Sequence, residues 1–102
     1  MNRKECLEAA GKAVLEDREN AYGSPEDSFG LIANLWSAYL NSRIEQKGLD
    51  AHITIRMTET SVAHMMILLK IARAATGKHV PDNYIDIAGY AACAAETGGE
   101  HE

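Results

Sequence analysis

Apolar residues recur every three or four positions along most of the chain, a spacing that predicts helices. From about Asn2 to Glu19, Leu7, Ala10, Val14 and Leu15 mark one apolar face among charged residues. Asn20-Ala21-Tyr22-Gly23 reads as a turn. Ser24-Pro25-Glu26-Asp27 then gives an N-cap, a proline at the first helical position and acids in the first turn. The second helix carries Phe29, Ile32, Ala33, Trp36, Tyr39 and Leu40 as one broad stripe, ends near Glu45 and stops at Gly48. Residues 47–57 contain a short alternation, His52-Ile53-Thr54-Ile55-Arg56. With no second strand to pair with, they read as a loop, unless another copy of the chain supplies the partner.

A third helix is predicted from about Thr58 to Ala75. Val62, Met65, Met66, Ile67, Leu68, Leu69, Ile71 and Ala72 make it apolar nearly all round, the pattern of a central helix buried on every side. Gly77 is a natural C-terminal cap, and Pro81 blocks continuation. A fourth helix starts with Asp82 as N-cap and runs to about Glu96. Its interior, Ala88-Gly89-Tyr90-Ala91-Ala92-Cys93-Ala94-Ala95, consists mostly of small residues. Gly89 costs about 1 kcal/mol relative to Ala in a helix. Its presence points to a tight crossing or to a ligand against the backbone. The expected fold is an all-α bundle of four main helices.

The 102 residues are 46% hydrophobic and 25% charged, with 8 Gly and 2 Pro, which excludes low-complexity and disordered classes. The length fits a single domain spanning residues 1–102, with a frayed tail from about Thr97. A domain of this size buries roughly 60–65% of its unfolded surface. It folds with little to spare, and a homo-oligomer would bury one more helix face. The net charge of −5 argues against a nonspecific nucleic-acid binder. Cys6 and Cys93 lie 87 positions apart and read as reduced thiols. There is no export signal, and no apolar run approaches the length of a membrane span, so a cytoplasmic protein without a membrane partner is expected.

The candidate chemistry is a polar set on the two most apolar helices. Lys70 and Arg73 share a face of the third helix, with Glu59 on roughly the same face near its start. Asn83, Asp86 and Tyr90 share a face of the fourth helix, with Asp82 at its start. Opposite charges on consecutive apolar helices are expected to meet. They can form a structural network of Lys70 and Arg73 with Asp82 and Asp86. They can equally form a polyphosphate site, where acids hold a divalent metal and the cations hold phosphate oxygens. A second constellation, Arg18 with Tyr22-Gly23-Ser24-Pro25, would place an anion at the N-terminus of the second helix, or would simply pack and pair locally. Trp36 reads as core. His64 reads as a hydrogen-bonded core or interface residue. His52, His79 and His101 show no metal-ligand spacing.

The series Arg18…Tyr22-Gly23-Ser24-Pro25…Phe29…Leu35-Trp36, then Leu68-Leu69-Lys70-Ile71-Ala72-Arg73, then Asp82-Asn83-Tyr84-Ile85-Asp86-Ile87-Ala88-Gly89-Tyr90-Ala91 resembles a family of small phage and prophage proteins. It is similar, more distantly, to the all-α nucleotide pyrophosphatases of the MazG and dUTPase type. That resemblance implies a MazG-like helical dimer or tetramer that binds magnesium through E-x-x-E and E-x-x-D motifs and splits nucleoside triphosphates. Asn83-Tyr84-Ile85-Asp86 falls where E-x-x-D would, with only Asp86 matching. Lys70-Ile71-Ala72-Arg73 stands where the E-x-x-E acids are missing.

These readings combine into one expectation: a nucleotide or related phosphate compound bound in a cleft between the third and fourth helices. Asp82 and Asp86, with Glu59, would hold Mg2+, and the two aspartates would serve any pyrophosphohydrolase activity. Lys70 and Arg73 would contact phosphates, Asn83 and Tyr90 would orient the ligand, and Arg18 with Tyr22 would close one side. The competing expectation is a non-catalytic interaction or counter-defence protein that binds a host protein, with the polar cluster purely structural.

Overall fold

The computed structural model describes residues 1–17, 20–21, 24–48 and 54–99. Among them all regular structure is helical: α1 (Arg3–Lys12), a π-helical turn (Ala13–Asp17), α2 (Pro25–Gln46), α3 (Glu59–Thr76) and α4 (Pro81–Gly99). None of these helices is long and apolar enough to cross a membrane.

Each helix start has a local cause. The Asn2 side chain accepts from the Glu5 backbone N–H at 2.9 Å, and the Glu5 carboxylate accepts from the Asn2 N–H, a reciprocal box. Ser24 caps α2 ahead of Pro25, and Thr58 caps α3 through the Ser61 N–H. Gly48, at φ 67°, ends the run after α2 as expected. Gly77 closes α3 in an extended conformation, its N–H donating to the Arg73 carbonyl.

Several expectations are corrected. α1 does not continue to Glu19 as a regular α-helix, because its register loosens into the π-helical turn after Lys12. α4 begins at Pro81, whose fixed φ suits the first helical position, so Asp82 is a first-turn acid rather than the N-cap. α4 also runs past Glu96 to Gly99. Thr97 is fully buried, its hydroxyl donating to the Cys93 carbonyl and paired with Thr60 Oγ1 at 3.0 Å. The expected fraying from Thr97 is therefore not what holds through Gly99; residues 100–102 lie outside the described part.

α3 and α4 form an antiparallel hairpin, pinned by Thr60–Thr97 at one end and Lys70–Asp86 toward the other. α1 runs parallel to α4. Their N-terminal ends share a pocket lined by Cys6 and Tyr84, and Leu7, Ala10 and Val14 face Ala88, Gly89 and Ala92 further along. The core lies where α2, α3 and α4 meet, with Phe29, Ala33, Val62, Ala63 and Cys93 buried and Val14, Trp36, Met66 and Tyr90 packed around them.

Of the expected strand-like alternation His52–Arg56, Thr54, Ile55 and Arg56 carry no regular secondary structure, and His52 and Ile53 lie outside the described residues. A side chain supplies what a partner strand would. Asn41 donates to the Ile55 carbonyl at 2.9 Å and accepts from the Ile55 N–H at 2.8 Å. Ser37 Oγ accepts from the Met57 N–H at 2.8 Å.

The largest correction concerns α3. It is not buried on every side: only Val62 and Ala63 are enclosed, while Met65, Leu68, Leu69 and Ile71 are exposed. On α2, Tyr39 leaves the expected buried stripe and is exposed along with Leu31 and Leu35. Helical periodicity shows which faces are apolar, not which of them find a partner within one chain.

Candidate functional site

The polar set meets at one point. Lys70 Nζ lies 2.9 Å from Asp86 Oδ2, joining α3 to α4. The lysine side chain is 14% exposed and the aspartate 40%. The hairpin brings them together because each sits on the face turned toward the other helix. One turn beyond Lys70, Arg73 is exposed, and one turn before Asp86, Asp82 is exposed; no ion pair joins these two. The expected ladder of two charge pairs is thus a single pair. Asn83 is half-buried on the same helix.

A cleft of about 230 Å³ opens beside this pair. It lies between the start of the π-helical turn, through Ala13 and Val14, and α4, through Ile85, Asp86, Gly89, Tyr90 and Cys93. The expected position is between the third and fourth helices; this cleft lies instead on the side of α4 that faces the first helical segment. Gly89 forms the floor. A Cβ added there would come within 2.9 Å of Val14 Cγ1, so the glycine answers to a tight crossing with the first helical segment. The Tyr90 ring packs at 6.1 Å from Phe29, tilted by 32°, which fixes the aromatic wall.

Cys93 is a cleft residue that reasoning from sequence set aside as an inert buried thiol. Its spacing could have revealed it, since Asp86, Gly89, Tyr90 and Cys93 follow the three–four rhythm of one helical face. Cys6 is half-buried and Cys93 is buried. His64 is exposed on α3, which removes the core reading and leaves the interface one. Arg18 and Tyr22, expected to close one side, lie outside the described residues.

Glu59 stands apart from the other two acids. It begins α3, and the helix between it and Lys70 spans roughly 16 Å. Because the hairpin is antiparallel, Glu59 lies near the Thr97 end of α4, far from Asp82 and Asp86. A three-carboxylate magnesium site of Glu59, Asp82 and Asp86 therefore does not assemble. Among the described residues no group of three His, Cys, Asp or Glu side chains is placed to hold a metal ion. Asp82 and Asp86, one turn apart on α4, are the two carboxylates available together.

Fold and cleft define a small all-helical protein with a mixed polar and apolar pocket against its last helix. The profile of the family described as Domain of unknown function (DUF6378) matches residues 5–98, and the chain belongs to that family. It is 39% identical over 88 residues to the Gene 55 protein of Mycobacterium phage D29, covering 85% of this chain and 49% of that protein. It is 36% identical over 85 residues to the Gene 55 protein of Mycobacterium phage L5, covering 83% of this chain and 47% of that one. The chain thus spans about half the length of these curated relatives. No solved structure matches it significantly. The phage resemblance drawn from the sequence agrees with these findings, whereas no comparison supplies a MazG-type relative.

Proposed function

We propose that the cleft between the first helical segment and α4 binds a phosphate-bearing small molecule of the nucleotide class. The observation that carries this reading is Asp86 on the cleft wall, held 2.9 Å from Lys70 of α3, a lysine only 14% exposed. A shielded ion pair contributes little net stability over apolar packing of the same volume. Its position beside an open cleft is better accounted for by a ligand than by glue.

In this reading Ala13, Val14 and Ile85 take the apolar part of the ligand. Asp86 accepts from a ligand hydroxyl or amino group. Lys70 and Arg73 meet phosphate oxygens at the hairpin's edge, and Asn83 and Tyr90 orient the bound molecule. Arg18 and Tyr22 follow the π-helical turn in the chain and enter the proposal from the sequence alone. Asp82 and Asp86 are the two carboxylates that a magnesium ion carried by the phosphates would meet, since that ion needs few protein ligands when phosphates complete its shell. Hydrolysis to monophosphate and pyrophosphate is the enzymatic form of the same proposal. The relatives come from phages, and the proposal sets this binding in nucleotide metabolism or counter-defence within a host cytoplasm.

The test is thermal melting of the protein against nucleoside mono- and triphosphates, cyclic nucleotides and pyrophosphate, with and without magnesium. A ligand at 100 times its Kd adds about 2.7 kcal/mol, a rise of ten degrees or more for a domain of about this size. A rise that Asp86→Asn abolishes is expected. No shift from any of these compounds at millimolar concentration overturns the reading. A magnesium-dependent rise with pyrophosphate release would establish turnover.

A second reading, a non-catalytic protein that binds another protein, is favoured by the exposed apolar residues Leu31, Leu35 and Tyr39 of α2 and Met65, Leu68, Leu69 and Ile71 of α3. Asp86→Ala separates the two. Asp86→Ala lowers Tm in either reading because Lys70 loses its partner; loss of the ligand-induced rise in Tm supports the cleft, whereas a ligand-induced rise that survives the substitution supports a structural role for the pair.

A further inference from the structure

The outer face of α2 carries an apolar row that no described residue covers. Leu31, Leu35 and Tyr39, four residues apart, are 62%, 60% and 65% exposed. The rest of that face is Asn34, Ala38 and Ser42, also exposed. From Ser28 to Asn41 and Ser42, α2 contains no charged residue at all. An exposed helix face of a lone soluble protein is ordinarily polar and charged, while charge depletion with leucine and tyrosine is the mark of an interface centre.

The whole chain shows the same deficit. Its accessible surface is 7202 Å², against about 5,700 Å² for a folded monomer of this mass. Its radius of gyration is 15.8 Å, against about 13 Å for a compact domain of this length. The excess, roughly 1,500 Å² per chain, is of the size that permanent subunit interfaces cover. The buried apolar side chains number six among the described residues, and five of them are Ala, Val or Cys. A core this small gains from burying one more apolar face.

We propose that the partner is a second copy of this chain, paired through the outer face of α2 about a two-fold axis at Leu35. An antiparallel pairing sets Leu31 of one copy against Tyr39 of the partner and Leu35 against Leu35 of the partner. It also turns Asp27, at one end of the uncharged stretch, toward Arg43 of the partner at the other end, so the row is complementary to itself in charge as well as in shape. A parallel pairing would set acid beside acid. A membrane surface is a poorer occupant, because the row has no flanking cluster of lysine or arginine and the net charge is −5. The pairing stands independently of the cleft reading.

The experiment is light scattering coupled to size exclusion on the wild-type chain, Leu35→Glu and Leu68→Glu. The wild type is expected as a dimer or an even-numbered assembly with a Tm that rises with concentration. Leu35→Glu is expected as a monomer or unfolded. Because an unfolded variant is ambiguous, Leu35→Cys in a Cys6→Ser background provides the second measurement, and mild oxidation should link it into a covalent dimer. A monomeric wild type overturns the proposal. So does an assembly that survives Leu35→Glu, one that only Leu68→Glu dissociates, or a Leu35→Cys variant that oxidation fails to link.

Discussion

Replacing Gly89 by Ala sets two effects of known sign against each other. In a free helix the change would stabilise by about 1 kcal/mol, because glycine loses more backbone entropy on folding. Here the new methyl carbon would arrive 2.9 Å from Val14 Cγ1, closer than such atoms sit in folded proteins. Val14 is β-branched and stiff at χ1, so it does not swing aside freely. Overpacking of this kind costs about 1–3 kcal/mol. The balance predicts a net loss of about 1 kcal/mol, or about 4–8 °C in Tm for a domain near this size. Val14→Ala removes the opposing carbon, so in that background Gly89→Ala should raise Tm instead. Melting of the wild type, both single variants and the double variant closes the cycle, with a coupling of about 1 kcal/mol or more expected between contacting residues. A higher Tm for Gly89→Ala in the wild-type background would refute the close approach. It would also remove the account of why a glycine stands there.

Three further outcomes follow from the same contacts. Asn41→Ala removes both hydrogen bonds to Ile55 and should lower stability by about 1–3 kcal/mol in urea titration, since a half-buried peptide group loses its partner. Thr97→Val, which keeps the shape but not the hydroxyl, should cost about 1 kcal/mol. Truncation after Glu96 should cost more, and a truncated chain as stable as the full one would contradict the burial of Thr97. Asp86→Ala leaves Lys70 shielded without its partner and should destabilise by about 1–3 kcal/mol, whereas Lys70→Met combined with Asp86→Leu should be close to neutral in the same titration.

Much of this was legible from residue types. Ser24, Pro25 and Thr58 announced helix starts because capping is a local interaction. Gly89 announced a tight crossing or a ligand against the backbone, because glycine inside a helix otherwise only costs stability, and the Val14 contact supplies the crossing. Lys70 and Asp86 announced a meeting because charges on apolar helices need each other. What escaped the sequence depended on tertiary arrangement. The face of α3 bearing Leu68 and Leu69 looks like core, yet none of the described residues covers it. The cleft formed against α1 rather than α3 because the small residues of α4 admit both neighbours, and only the Val14 contact decides how closely. Thr97 looked like tail because its partner, Thr60, lies 37 positions away. Glu59 shares a helix face with Lys70 but not a site, since face says nothing about height along the axis.

The most direct test of the cleft is a nitrogen–proton NMR titration of the wild type and Asp86→Asn with nucleoside mono- and triphosphates. The account predicts saturable shifts centred on Val14, Asp86, Gly89 and Tyr90 in the wild type, with none in the variant. Shifts that cluster elsewhere, or a spectrum that no nucleotide moves, would contradict it.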